Sequence, residues 1–141
     1  MGEFRRGLQS REYSAVAVVT KTMAASLLLV DDEAALTGLL KQYLERLGYR
    51  VDACTDPDAA VGLFDADPRR HALLITDLTL PGMDGEELLS RLRERNPELR
   101  AIIASGYPYQ PRTAGVEFLQ KPFLPKILAD AIERMLQAPP A

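Results

Sequence analysis

Five polar residues of this 141-residue chain stand in the same kind of place, at the end of a short apolar run. Asp31 and Asp32 follow Ser26-Leu27-Leu28-Leu29-Val30, and Asp77 follows Leu73-Leu74-Ile75-Thr76. Ser105 closes Ala101-Ile102-Ile103-Ala104, and Lys121 comes directly after Val116-Glu117-Phe118-Leu119-Gln120. Such runs read as buried strands, and the Pro81-Gly82 turn after Asp77 sets that acid at a strand end instead of within a helix. Three carboxylates drawn together repel one another unless a cation sits among them, and hard oxygen donors of this kind suit Mg²⁺. A hydroxyl and an ammonium facing them would hold a phosphoryl oxygen. The chemistry this set could do is metal-assisted phosphoryl transfer, with Asp77 as acceptor.

The elements that must position these groups alternate between short apolar runs and amphipathic ones from Ser26 onward, as βα units around a parallel sheet should. Leu36, Leu39, Leu40, Tyr43, Leu44 and Leu47 mark one face of a first helix that Gly48 stops. Residues 49–54 give a second, more polar strand, and Asp56-Pro57 opens a helix running to about Asp65. The third strand covers about 72–77, and a helix comes next over 85–96 with Leu88, Leu89 and Leu92 inward. Strands over 101–105 and 116–120 come after it, then a helix over about 124–136 with Leu128, Ala131, Ile132 and Met135 on its apolar side. The first, third and fourth strands are continuous apolar runs, whereas the second carries Arg50 and Asp52 and the fifth Glu117 and Gln120. The polar pair belongs at the edges. A doubly wound, flavodoxin-like α/β sheet of order 2-1-3-4-5 satisfies this, and in such sheets the crevice lies beyond the carboxyl ends of the strands, where the five residues gather. Pro108 and Pro111 bias the residues before them away from helical angles, so a fourth helix between Ser105 and Val116 is expected to be shortened or absent.

Four motifs in this order resemble the receiver domain of two-component response regulators over residues 26–137: Leu28-Leu29-Val30-Asp31-Asp32-Glu33, Asp77 with Leu80-Pro81-Gly82-Met83-Asp84-Gly85, Ser105-Gly106, and Lys121-Pro122-Phe123. The wording around Ala104-Ser105-Gly106-Tyr107 and Phe118-Leu119-Gln120-Lys121-Pro122-Phe123 is similar to receivers attached to hybrid sensor kinases. The resemblance implies that Asp77 is the nucleophile toward a donor phosphohistidine and that Asp31, Asp32, Asp77 and the backbone carbonyl of Thr79 hold Mg²⁺. It implies that Ser105 and Lys121 contact the phosphoryl group, that Ser105 and Phe118 act as the switch, and that Lys121-Pro122 is cis. Phosphorylation and slow dephosphorylation would be the domain's own catalysis, with no other enzyme activity. The partners implied are a histidine kinase or phosphotransfer protein, and a downstream protein or covalently attached kinase domains, with self-pairing as a further option. The proline-bearing loop departs from the family, which usually has a helix there; Tyr107, Tyr109 and Phe118 are the candidates for a rearranged switch.

Taken singly, each residue has a plainer reading. Asp31-Asp32 serves as a turn or helix cap, Asp77 and Ser105 as turn residues, Lys121 as a solvated edge charge and Phe118 as core. Thr79 and Tyr107 flank the site as rate-setting or plain loop residues, and His71 reads as structural or exposed instead of as a phosphodonor. An inert interaction module on the same fold is one rival. A phosphatase with an Asp nucleophile and Mg²⁺ is another, but such enzymes place a second acid two residues after the nucleophile, where this chain has Thr79.

Composition narrows the classes further. A net charge of -3 and a pI near 5.2 speak against nucleic-acid binding, which needs clustered Lys and Arg. One Cys and one His are too few for a disulfide or a zinc site, and no apolar run reaches the length of a membrane span, so the expected location is cytoplasmic. Residues 1–25 and 138–141 are expected to be tails flanking one domain over 26–137.

Overall fold

The computed structural model describes residues 25–137, so the readings for the first 24 residues and for 138–141 lie outside the described residues. The chain alternates as β1 (Ser26–Val30), α1 (Ala34–Arg46), β2 (Arg50–Cys54), α2 (Pro57–Ala66), β3 (Leu73–Asp77), α3 (Gly85–Arg93), β4 (Arg100–Ser105), β5 (Val116–Gln120) and α4 (Pro125–Gln137). All strand pairs are parallel and the sheet order is β2-β1-β3-β4-β5. The polar strands do lie at the edges. Among the described residues no helix separates β4 from β5, and α4 is the last helix, in agreement with the two-proline argument.

Alternation along the central strands sends side chains to two cores. Leu28 and Val30 of β1 pack with Leu74, Ala101 and Ile103 beneath α2 and α3, whereas Leu27 and Leu29 pack with Leu73, Ile75, Ile102 and Ala104 beneath α1 and α4. A fully buried leucine contributes about 1.5–3 kcal/mol, so the Leu-rich β1 is firmly anchored in the sheet and a rigid support for the acidic turn beyond Val30.

Local sequence sets the helix ends. Asp56 accepts a hydrogen bond from the Asp58 amide with Pro57 in the first turn, and Asp84 caps α3 through the Glu87 amide at 2.8 Å. At the end of α1, Gly48 adopts φ 102°, its amide bonding to the Glu45 carbonyl and the Tyr49 amide to that of Leu44, which turns the chain sharply into β2. The predicted face of α1 needs correcting. Leu39 is 59% exposed, while Thr37, Leu40 and Leu44 are buried, because the helix meets the sheet along the 37-40-44 row. A threonine therefore occupies a place that periodicity of the leucines alone had missed.

Candidate functional site

The carboxyl ends of β1 and β3 bring the acids together. The Asp31 amide bonds to the Cys54 carbonyl at 3.1 Å, carrying the ladder one residue beyond β1 and leaving Asp31 buried. Its Oδ1 accepts from the Glu33 amide at 2.9 Å, a side-chain turn that leaves Asp32 exposed at the apex. Asp77 ends β3, and the Leu78 amide bonds to the Ala104 carbonyl at 2.8 Å, fixing the end of β3 against β4. The turn after it is tight: a Cβ on Gly85 would fall 2.6 Å from the Asp77 carbonyl oxygen, so only glycine fits there.

One carboxylate oxygen from each of Asp31, Asp32 and Asp77 lies within 4.8 Å of the others. Lys121 comes in from β5, placed by its amide bond to the Ser105 carbonyl at 2.8 Å. Its Nζ sits 2.9 Å from Asp31 Oδ2 and 3.2 Å from Asp77 Oδ2. Burial pulls this ammonium down, but the two carboxylates outweigh it and hold it above its ordinary value. Like charges at this spacing cost on the order of a few kcal/mol per pair near a protein surface. One lysine against three acids leaves two negative charges to balance, and the all-oxygen donor set fits a hard divalent cation.

Ser105 is buried, and its Oγ accepts from the Tyr107 amide at 3.1 Å. The Tyr107 hydroxyl lies 3.4 Å from Thr79 Oγ1, a long contact arching across the mouth of the site. Lys121-Pro122 is cis, as expected. Glu33, Leu36, Gly106, Lys121, Pro122 and Phe123 line an open cleft of about 420 Å³ beside it.

In place of a helix, the segment 106–115 is strapped through residues 112–114 to the first and last turns of α3. Glu86 in the first turn accepts from the Arg112 amide and from Thr113 Oγ1, each at 3.3 Å, while Arg93 in the last turn donates to the carbonyls of Leu99 and Ala114, each at 2.8 Å. Tyr109 packs against the core at 6.2 Å, centroid to centroid, from half-buried Phe118. Its buried hydroxyl makes no hydrogen bond of good geometry, and burial, reinforced by nearby Glu86, pushes its pKa up.

With β1, β3 and the Lys121 tip converging on one acidic crevice, the family can be placed. The response regulator receiver domain matches residues 27–133. The chain belongs to this family. Among the receiver's relatives, the regulatory protein VanRB of Enterococcus faecalis is 34% identical over 82% of this chain and 54% of its own length. The sensor kinase CckA of Brucella abortus is 32% identical over 81% of this chain and 13% of its own. A solved receiver domain from the hybrid histidine kinase CckA superposes with a TM-score of 0.74 at 32% identity, over 80% of this chain and all of that one. The receiver thus spans about half or less of the curated relatives named here.

The structure brings Asp31, Asp32, Asp77, Ser105 and Lys121 to one sheet edge, with Thr79 exposed on the turn beside them and Phe118 set back against Tyr109. His71 is buried at the other end of β3, its Nε2 2.7 Å from Asp52 Oδ2, which is the structural branch of the two readings. Sequence reasoning missed Glu86 and Arg93, whose partners lie 26 and 21 residues away and leave no local trace. It also missed Thr37, which a polar residue in the 37-40-44 row did signal.

Proposed function

We propose that this receiver accepts a phosphoryl group on Asp77 from a phosphohistidine of a histidine kinase or phosphotransfer protein. The observation that carries the reading is the Lys121 ammonium bridging Asp31 and Asp77 inside a three-carboxylate crevice. A carboxylate oxygen of Asp77 forms the new P–O bond as the P–N bond to the donor imidazole breaks, the imidazole nitrogen keeping the electron pair. Asp31, Asp32, Asp77 and the Thr79 carbonyl would hold Mg²⁺, which when bound neutralises charge on the phosphoryl oxygens. Lys121 turns from the carboxylates to one phosphoryl oxygen, and the Ser105 hydroxyl, whose Oγ accepts from the Tyr107 amide, donates its proton to another. Leu39, Leu124 and Ile127 are large exposed apolar side chains on or beside the two helices bordering the cleft, and they give a donor protein a surface to grip.

The Ser105 hydroxyl thus links the chemistry to the loop: drawn toward the phosphoryl group, it pulls on the Tyr107 amide, so phosphorylation shifts the equilibrium of 106–115 and Phe118, and a downstream protein or attached kinase domains read that shift. In this proposal the receiver unit runs over residues 26–137 and acts in the cytoplasm. Among the described residues no helix is long and apolar enough to cross a membrane.

Incubation of the protein with acetyl phosphate and Mg²⁺, with intact mass measurement afterwards, tests this. A single phosphoryl adduct that Asp77→Asn abolishes is the expected outcome. Steady phosphate release without a lasting adduct would make it a phosphatase, and no adduct at all an inert module. If a phosphoryl analogue leaves the NMR shifts of 106–115 unmoved, the loop is not the readout.

A further inference from the structure

Thr37 stands out on the buried face of α1. It is 3% exposed and shares that face with Leu40 and Leu44, a place where an aliphatic residue would be the ordinary choice. Its Oγ1 lies 2.8 Å from the Glu33 carbonyl and 3.0 Å from that of Asp31. The first contact is the common habit of a helical threonine bonding four residues back. The second spans six residues and reaches out of the helix into the acidic turn.

The two carbonyls belong to the residues on either side of Asp32, so one hydroxyl proton is shared between the peptides that bracket the exposed carboxylate. From the other side, the Asp31 carboxylate takes the Glu33 amide. The turn carrying two of the three acids is thereby closed by a side chain at each end, one of them rooted in the core. Without the Thr37 tie, the turn has more conformations to lose when its carboxylates close on a cation, and that ordering cost weakens binding.

We infer that Thr37 is a positioning residue for the cation-binding carboxylates, a role that rests on the proposed reading of the acidic crevice. Thr37→Val keeps the branched shape and removes the donor; Thr37→Ser keeps the donor and removes a methyl. Outer-shell partners of metal ligands commonly change affinity by about 10–100-fold. A turn already held by the sheet belongs at the low end of that range.

The test is a Mg²⁺ titration of the full chain, read from the amide NMR shifts of Asp32 and Glu33, with thermal unfolding of the Mg²⁺-free variants alongside. The expected result is binding about tenfold weaker in Thr37→Val and within about twofold of wild type in Thr37→Ser. Should Thr37→Val not fold, Thr37→Ala gives the same comparison. Equal Mg²⁺ affinity in wild type and Val or Ala variant, with only the unfolding temperature lowered, overturns the inference and leaves the crevice reading standing. A wild-type protein that shows no saturable Mg²⁺ response overturns the crevice reading, and the positioning role falls with it.

Discussion

The two halves of the site are built differently. On the β1–β3 side, Asp31 and Asp77 stand at or just past the ends of strands buried at four of their five residues, held by ladder bonds and by a tight turn at Gly85. On the β4–β5 side, Ser105 is just as well buried, but the chain then enters a ten-residue segment, 106–115, held onto α3 by Glu86 and Arg93. In the proposed reading the carboxylates that need fixed distances stand on the rigid half, Ser105 and Lys121 face them from the other, and a conformational response is expected from the segment whose bonds are partly exposed.

The largest effect expected on this contrast comes from the rigid half. Asp31→Ala removes a carboxylate and one partner of Lys121; Mg²⁺ affinity should fall by about 100-fold or more while hydrogen exchange of 106–115 stays as in the wild type. Loop exchange that rises in step would show the halves to be one unit. Gly85→Ala pushes a methyl toward the Asp77 carbonyl 2.6 Å away, and overpacking of this kind costs about 1–3 kcal/mol in urea unfolding. It should also slow phosphorylation by acetyl phosphate, and a variant as stable and as fast as wild type would mean the turn relaxes freely.

On the loop half, Glu86→Gln weakens bonds to a charged acceptor, worth about 1–2 kcal/mol. Exchange of the 107–114 amides should quicken by about tenfold with Mg²⁺ affinity within about twofold of wild type. A change in affinity instead of exchange would reverse the assignment of roles. The smallest effect lies away from both halves, at Asp52. Burial raises this carboxyl, but Arg70 and His71 outweigh it and hold it below 3.8, so its stabilisation is fully present above that pH and fades as pH falls through the lower folded value. Asp52→Asn should cost under about 1 kcal/mol at neutral pH and flatten the acid limb of the stability profile, with neither Mg²⁺ affinity nor loop exchange disturbed.

The rigid half was legible because it is written in local signals. Continuous apolar runs named the central strands, Arg50, Asp52, Glu117 and Gln120 named the edges, and each candidate site residue came directly at or after a strand end. Pro108 and Pro111 likewise announced the missing helix, because proline acts on its own neighbours. The loop that replaced that helix was not legible. The Glu86 and Arg93 straps join residues more than twenty positions apart, and the pairing of His71 with Asp52 crosses from β2 to the start of β3. Leu39 misled for a related reason: leucine spacing gives the period of a helix, but the sheet beneath decides which row of it is covered.

The straps also decide what can be exchanged between proteins. Both anchor residues lie on α3, about two turns apart on the helix that begins directly after the turn beyond Asp77. Segment 106–115 is therefore not a portable module: transplanted alone into a sheet whose third helix lacks a Glu and an Arg at that spacing, it would arrive without its fastenings. A chimera that keeps its shape must carry α3 with it, so that helix and loop move together.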